Sequence, residues 1–242
     1  KIRSGNIPIM KTILVLLAFT LSSFAIAQTQ DWQWQNPSPQ GNDLLDIQYV
    51  TSELAYSVGK TGTVLKTENG GISWLQLSTG NETDYHDVHF INPTTGWISG
   101  AGGTVMKTTD GGATWSSQTT GVTVILYGIH FTSALNGCAV GEGGTVIRTT
   151  NGGSSWSSQT LSSTSAIYDI TFTSADTGYC SSVPVYKTTD GGVTWINQTL
   201  PFVGQNWTIE FVDNNIGFVA GQDGNMGKTT NGGATWTSVS TG

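Results

Sequence analysis

Apolar and polar residues alternate over short stretches of the chain, and five of these stretches share one pattern in which an apolar position lies between two mostly polar ones. A period of two predicts β-strands that are buried on one face. No apolar stripe with the 3.6-residue period of a helix appears after residue 27, and glycine with asparagine or aspartate separates the stretches, which indicates an all-β protein. The predicted strands are Asp46–Val50, Asp87–Phe90, Gly128–Phe131, Asp169–Phe172 and Thr208–Phe211.

A nine-residue motif recurs five times and reads Lys/Arg-Thr-x-Asn/Asp-Gly-Gly-x-Ser/Thr-Trp. The tryptophans that end its copies are 41, 41, 39 and 41 residues apart. A fixed period near forty is typical of propellers and solenoids, in which each repeat buries its faces against its neighbours. We expect each repeat to form one blade of four strands, called A to D in chain order. The predicted blades are about 43–80, 84–121, 125–161, 166–201 and 205–240.

The motif has the chemistry of a turn, and we assign it to the hairpin between strands C and D. Its Asn or Asp can accept amide hydrogens of its own turn, and Gly-Gly supplies backbone angles that other residues adopt with strain. The tryptophan is expected to pack beneath the turn. We interpret these residues as structural: Asn69, Trp74, Asp110, Trp115, Asn151, Trp156, Asp190, Trp195, Asn231 and Trp236.

The motif is similar to the Asp-box, or bacterial neuraminidase (BNR) repeat. With the Asp-φ-x-Phe opening of strand A and the Gly-Gly-Thr-Val that precedes strand C, residues 32–242 resemble the exported propellers related to photosystem II stability and assembly factors. The resemblance implies a β-propeller. It also implies that the motif hairpins lie on one face of the disc, here called the box face. The D–A and B–C loops then surround a channel on the other, the loop face, with strand A lining that channel.

Residues Trp32–Asn36 resemble an extra strand D that precedes the first blade. Propellers often close by pairing such a strand with the last strands of the chain. The fifth repeat already has its own strand D, so we expect five visible repeats of a six- to eight-bladed ring, most simply a seven-bladed one.

The start of the chain predicts export. A short basic start at Met10-Lys11, an apolar run and a small-residue site before Gln28 describe a signal peptide at residues 10–27, which makes residues 1–9 an upstream, non-native frame. The apolar run is too short for a membrane span. We expect a monomeric mature protein that is secreted, periplasmic or on the cell surface.

Charge and cysteine content limit the partners. Without residues 1–27 the chain keeps six cations against sixteen acids, and five of the six begin a copy of the motif. No basic patch remains for nucleic acid or an anionic membrane. Cys138 and Cys180 fall in neighbouring columns of the repeat, and neighbouring strand positions face opposite ways. We therefore expect two buried free thiols rather than a disulfide.

Strand A supplies the candidate chemistry of the channel. One polar column contains Asp46, Asp87 and Asp169, and a second contains His89, His130 and Glu210. These residues either form a hydrated channel wall or converge on a ligand at its mouth. Their spacing does not establish a metal site, and we predict neither metal nor cofactor.

The longest and least repetitive loops are Gln35–Asp43, Asn81–His86 and Thr199–Trp207. Departures of this kind often mark the interaction face of a repeat protein. Tyr85, Phe202 and Trp207 are candidate exposed anchors there, with the alternative that Trp207 fills space between blades. His86 is expected to be a solvated side chain.

Two functions are compatible with these residues. The first is a non-catalytic scaffold that binds a protein or a surface glycan or other polymer through the loop face. The alternative is a propeller glycoside hydrolase that uses Asp46, Asp87 or Asp169 as catalytic carboxylates. Sialidase activity is excluded for the visible repeats. The resemblance implies a clamp of three arginines, and the chain after residue 27 has only Arg148.

Overall fold

In the part of the chain that the computed structural model describes, twenty strands form five antiparallel, four-stranded sheets. The structure describes residues 41–163 and 165–240. The predicted upstream frame, signal peptide and extra strand at 32–36 lie outside the described residues. Within them the all-β propeller prediction is confirmed, with one sheet for each repeat.

In every sheet the strands follow one another in chain order, A to D. The A strands are β1 (Leu44–Tyr49), β5 (Tyr85–Phe90), β9 (Leu126–Phe131), β13 (Asp169–Phe172) and β17 (Asn206–Phe211). The B strands are β2 (Ala55–Gly59), β6 (Gly96–Gly100), β10 (Gly137–Gly141), β14 (Gly178–Ser181) and β18 (Gly217–Gly221). The C strands are β3 (Thr63–Thr67), β7 (Val105–Thr108), β11 (Thr145–Thr149), β15 (Val185–Thr188) and β19 (Met226–Thr229). The D strands are β4 (Leu75–Leu77), β8 (Ser116–Gln118), β12 (Ser157–Thr160), β16 (Ile196–Gln198) and β20 (Thr237–Ser238).

The A strands are the innermost elements, because each one contacts the A strand of the next sheet. Three short 3-10 turns lie in the B–C loops, at Ala101–Gly103, Glu142–Gly144 and Gln222–Gly224. The described part of the chain contains no helix that is long and apolar enough to cross a membrane.

A β-bulge interrupts the start of strand A in four of the five sheets. The pairing with strand B shifts register between Leu44 and Asp46, and the same shift occurs in the second, third and fifth sheets. A bulge adds one unpaired residue and changes the direction of its side chain. The strands therefore begin up to two residues earlier than the alternating pattern predicts.

Aromatic stacking joins three of the four pairs of neighbouring sheets that the structure describes, and Cys138 takes the place of the ring in the remaining pair. An aromatic residue of strand B lies flat against the strand A phenylalanine of the following sheet, with ring centroids 3.5–3.9 Å apart. The stacked pairs are Tyr56 with Phe90, Trp97 with Phe131 and Tyr179 with Phe211. Burial of such pairs supplies much of the hydrophobic stabilisation between blades.

We call the contact between two neighbouring sheets a joint. The cation that opens the motif donates across the joint from the second, third and fourth sheets. Lys107 Nζ donates to the Gly152 carbonyl oxygen at 2.8 Å, and Lys187 Nζ donates to Gly232 at 2.6 Å. In the first sheet Lys66 Nζ pairs with Glu68 at 2.7 Å instead, while the Tyr56 hydroxyl donates to the Gly111 carbonyl oxygen at 2.9 Å. The bonds to Gly111, Gly152 and Gly232 run from one sheet to the next along the chain, so the two sides of a joint are not equivalent.

The motif forms the turn that the sequence predicts. In the second copy Thr108 Oγ1 donates to Asp110 Oδ1 at 2.8 Å and accepts the Gly112 amide at 2.9 Å. The Thr114 amide donates to Asp110 Oδ1 at 2.9 Å. Trp115 then packs edge-on against Phe90, with centroids 6.1 Å apart. The Asn and Asp residues of the motif therefore act within their own turns.

The first and last described sheets each have an uncovered face. Ile47 is 51% exposed, whereas the residues at its position in the other four sheets are at most 4% exposed. Tyr49 is 56% exposed and has no stacking partner among the described residues. At the other end Phe218 and Lys228 form a ring–cation pair without a described sheet beyond them. These faces fit a larger ring, whose blade number stays a prediction.

Both cysteines are free and buried, as expected from their columns. They belong to one apolar cluster with Tyr186 and Ile170. Burial raises the pKa of Cys138 to about 12, and it also raises the pKa of Cys180. Both are therefore uncharged thiols that contribute to packing.

Candidate functional site

The bulged position at the start of strand A places large side chains at the loop-face end of the channel. The residue before it is buried in four of the five sheets, at Tyr85, Leu126, Ile167 and Asn206, while the next side chain reaches the surface. The residues at this position are Leu45, His86, Tyr127, Tyr168 and Trp207. In the fourth sheet Tyr168 lies at the same position without a register shift, and its amide donates to the Ser181 carbonyl oxygen at 3.1 Å.

Three of these side chains form a continuous row across adjacent sheets. The His86 and Tyr127 rings meet edge to face with centroids 5.1 Å apart. Tyr127 and Tyr168 are tilted by 34° with centroids 5.0 Å apart. All three are half-buried, whereas Trp207 in the fifth sheet is 54% exposed. We call His86, Tyr127 and Tyr168 the aromatic row.

Carboxylates surround the aromatic row. The Tyr127 hydroxyl lies 3.5 Å from Glu142 Oε1, and the Ile125 amide donates to Glu142 Oε2 at 3.3 Å. Asp84 holds the first B–C loop by accepting the Thr61 amide at 2.9 Å. Burial lowers the pKa of His86, although Asp84 and Glu142 act in the opposite direction. His86 is therefore neutral at pH 7.

The aspartates of the first polar column connect adjacent sheets. Asp46 Oδ2 accepts the Val88 amide at 3.0 Å, and Asp87 Oδ2 accepts the Ile129 amide at 2.6 Å. Asp169 Oδ2 accepts the Ile209 amide at 2.9 Å and the Thr208 hydroxyl at 2.8 Å. Each carboxylate therefore already satisfies main-chain donors that would otherwise be unpaired at the joint.

Asp87 also forms a hydrogen bond with the Asp46 carboxyl group. Burial, followed by the charge of Asp46, raises the pKa of Asp87 well above its usual value, and burial raises the pKa of Asp169. Two carboxyl groups in contact can share a proton. Two hydrogen-bonded carboxyl groups lie closer together than the separation of about 6.5–9.5 Å at which an inverting glycosidase holds its catalytic pair.

Of the two histidines in the second polar column, His89 hydrogen-bonds to the next sheet, and His130 contacts the ring of Phe172. His89 Nε2 lies 3.1 Å from the Phe131 carbonyl oxygen, and its ring centroid is 4.2 Å from that of His130. Burial lowers the pKa of His89 to about 4, and that of His130 to about 3 with a further contribution from His89. Gln48 makes the corresponding bond in the first sheet, donating to the Phe90 carbonyl oxygen at 3.3 Å.

Glu210 is the exposed member of this column, and partial burial raises its pKa. Among the described residues, no group of three or more His, Cys, Asp or Glu side chains is arranged to hold a metal ion.

Two of the predicted anchors are placed differently by the structure. Tyr85 is fully buried and donates to Thr79 Oγ1 at 2.8 Å, so its assignment as an exposed anchor is wrong. Phe202 is partly buried against the cluster that contains Val185 and Ile209. Trp207 is exposed, so it does not fill space between the described blades.

His86 also differs from the expectation of a solvated side chain, because it packs against Tyr127. The bulge explains both errors at Tyr85 and His86, since it reverses which of two consecutive residues points inward. The sequence did contain a signal for the aromatic row. Alignment of the repeats places large side chains, most of them aromatic, in the column that directly precedes Asp46 and its equivalents.

The box face contains a groove of about 710 Å³ between the first and second sheets. Trp74, Leu75 and Leu77 form its apolar side, and Lys66, Glu68 and Asp110 its polar side. These polar groups are engaged in the motif turn and the Lys66–Glu68 pair. The groove is therefore explained by the packing of the first sheet against the second.

Comparison with known proteins identifies related chains. The family model described as photosynthesis system II assembly factor YCF48 matches residues 24–116, 73–163 and 154–242. A structure of YCF48 bound to D1 peptide is 16% identical, with a TM-score of 0.59, and the alignment covers 83% of this chain and 81% of that chain. YCF48 from Cyanidioschyzon merolae is 16% identical, with a TM-score of 0.57 and coverage of 84% and 86%.

Enzymes share the fold as well. The GH74 enzyme of Niastella koreensis is 17% identical, with a TM-score of 0.70 over 81% of this chain but only 38% of that chain. Likeness at this level of identity describes the fold. No curated protein sequence gives a significant match.

Proposed function

Because this chain belongs to the photosynthesis system II assembly factor YCF48 family of BNR-repeat propellers, we propose that it is an exported, non-catalytic scaffold. It binds a protein partner through the loop face. The single observation that carries the proposal is the position of the bulged side chains, which brings aromatic surface to the loop-face end of the channel in consecutive sheets. Half-buried and exposed aromatic residues are the usual anchors of protein interfaces.

The family supports a protein partner. A YCF48 structure contains a D1 peptide, which is a property of that protein. In this chain the loop face is acidic and aromatic, so its partner need not share the chemistry of D1. Export rests on the signal-peptide pattern at residues 10–27, and amino-terminal sequencing of the exported protein is expected to begin at Gln28.

Glycoside hydrolysis is the second candidate, and the shared fold of the GH74 enzymes favours it. This chain covers 32% of one such enzyme and 38% of another, so a large part of each has no counterpart here. Against hydrolysis, Asp46, Asp87 and Asp169 already hold main-chain amides of the neighbouring sheets.

A peptide array together with a polysaccharide hydrolysis assay tests the proposal. We expect saturable peptide binding that Trp207→Ala or Tyr168→Ala weakens by at least tenfold. Val212→Ser is the matched control, because Val212 is 75% exposed in an A–B loop on the box face. We expect no release of reducing sugar. Sugar release that Asp87→Asn abolishes, without peptide binding, would overturn the proposal in favour of the hydrolase.

A further inference from the structure

We infer that the aromatic row, His86, Tyr127 and Tyr168, together with the carboxylate of Glu142, binds a lysine or methylated lysine side chain of the protein partner. This inference rests on the proposed protein-binding function and names the chemistry that the loop face recognises. The ligand class is a primary or quaternary ammonium group on an aliphatic stem.

The geometry of the row supplies the first argument. Two of its three members lie at β-bulges, and the third occupies the same position in a sheet without the register shift. Ring-to-ring contacts at 5.1 and 5.0 Å hold Tyr127 between His86 and Tyr168. These contacts fix the ring orientations before a ligand arrives, which lowers the entropic cost of binding.

Charge supplies the second argument. Glu142 and Asp84 lie beside the row, and Asp43, Glu82 and Asp223 occupy other loops of the same face. Among the described loop-face residues Lys60 is the one cation. Its charge also acts on His86, but Asp43 binds it at 2.5 Å. The loop face is therefore negatively charged around the half-buried rings of the aromatic row. Both properties attract a cation and discriminate against an acidic segment.

The protein uses the same recognition internally. Four lysines lie over aromatic rings of the joints at 5.3–5.8 Å from the ring centroid: Lys66, Lys107, Lys187 and Lys228. No lysine or arginine of the described residues lies over a ring of the aromatic row. A partner can therefore supply the missing cation.

The angles between the rings favour an ammonium group over a sugar. A pyranose stacks on one flat platform, whereas the rings of the row are inclined by 34° and 81° to one another. A roughly spherical ammonium group can contact rings at different angles, as it does in aromatic cages. Burial lowers the pKa of His86, so its neutral ring does not repel the cation.

The test is an NMR titration of the isotope-labelled protein with three matched peptides. Each is an eleven-residue Gly/Ser peptide with lysine, trimethyllysine or norleucine at its centre; norleucine retains the aliphatic stem but lacks the charge. We expect shifts at His86, Tyr127, Tyr168 and Glu142, with norleucine at least tenfold weaker than lysine. Norleucine binding as tightly as lysine, or no shift at millimolar peptide, would overturn the inference.

Variants assign the binding to the rings. Tyr127→Leu removes the central ring and should weaken lysine-peptide binding by about 5- to 30-fold. Tyr127→Phe keeps the ring and should bind within about twofold of the original protein. Glu142→Gln keeps an acceptor for the Ile125 amide but removes the charge, so it should weaken binding without disturbing the turn. Equal binding by Tyr127→Leu and Tyr127→Phe would contradict a role for the ring.

The two proposals fail separately. Peptides from the array that bind the loop face without preference for lysine would leave the protein-binding function in place and overturn this inference. Binding of cellohexaose to the aromatic row, with no binding of any peptide, would overturn both.

Discussion

Two carboxyl groups at the channel determine how the first joint responds to pH. Asp46 and Asp87 hydrogen-bond to each other, and the pKa of Asp87 is raised by burial and by the charge of Asp46. The unfolded chain releases the Asp87 proton near pH 4, whereas the folded protein retains it at higher pH. Folded molecules therefore bind more protons than unfolded ones above pH 4, and this group makes the free energy of unfolding fall as pH rises.

Replacement of Asp87 by asparagine should remove that decrease. The new side-chain carbonyl can still accept the Ile129 amide, and the new NH2 group can donate to Asp46 as a protonated carboxyl does. We expect Asp87→Asn to be at least as stable as the original protein at pH 7, with a smaller loss of stability above pH 4. Urea unfolding from pH 4 to 8 measures both, and an unchanged pH dependence would contradict proton retention at Asp87.

His89 should have the opposite pH dependence. Its pKa falls to about 4 on folding, so the unfolded chain gains a proton near pH 6.5 that the folded protein does not bind. Stability from this group is present above pH 6.5 and is lost as the pH falls to about 4, at roughly 1.4 kcal/mol per unit.

Replacing His89 by glutamine tests its contribution to acid sensitivity, because Gln48 makes the same hydrogen bond in the first sheet. We expect His89→Gln to unfold at a lower pH than the original protein in an acid titration followed by tryptophan fluorescence. An acid midpoint that does not change in His89→Gln would contradict the assignment.

Strands and turns show how far the sequence could predict the structure. The repeat fixes the strand number and order because every copy carries the same turn chemistry, from Thr67 to Trp74 in the first. The alternating pattern could not locate the bulges, since one inserted residue reverses inward and outward positions without leaving a gap in the pattern. The alternating pattern therefore predicts an exposed Tyr85 and a solvated His86, whereas Tyr85 is buried and His86 packs against Tyr127. Hydrogen bonds between sheets, such as Asp46 to Val88, depend on tertiary contacts that no local pattern contains.

The B–C loops contain two consecutive positions with left-handed backbone, and only one of them requires glycine for space. The first is occupied by Thr61 and Asp223 in two sheets, and by Gly102 and Gly143 in two others, all at positive φ. The second is glycine in each of these four sheets, at residues 62, 103, 144 and 224. A Cβ at Gly103 would overlap the Val122 carbonyl oxygen, whereas one at Gly102 meets nothing within 4 Å.

Alanine substitutions at these two adjacent positions separate the energetic cost of backbone strain from the cost of steric overlap. Gly102→Ala should lower the free energy of unfolding by about 1 kcal/mol, the cost of a left-handed alanine. Gly103→Ala should cost at least about 3 kcal/mol, because the Val122 carbonyl must also move. Urea denaturation compares them directly. Equal costs would mean that the D–A loop yields freely to the added carbon.

The ring of sheets has two faces that the described residues leave open. The same column is buried at Val88, Ile129, Ile170 and Ile209 but half exposed at Ile47. A substitution in this column therefore reports whether a neighbour covers the sheet.

The stability of the variants Ile47→Ser and Ile129→Ser compares an uncovered position of this column with a covered one. Ile129→Ser should cost about 3 kcal/mol, since it leaves a cavity and places a hydroxyl in an apolar cluster. Ile47→Ser should change stability by no more than about 0.5 kcal/mol if solvent covers this face. Thermal or urea unfolding of the full chain measures both. An equal cost at Ile47 would show that residues outside the described ranges bury the first sheet.

The joint between sheets has a consequence for how such a chain can evolve. The second and fourth sheets carry a stacking ring and a cation on one side, and on the other a phenylalanine and a glycine carbonyl that face the preceding sheet. In the third sheet Cys138 takes the place of the ring. A duplicated segment of one repeat length would bring both halves with it. A copy of the second or the fourth repeat could insert between two neighbours without compensating substitutions. Unequal recombination could thus change the number of blades in this lineage while every surviving joint keeps its contacts.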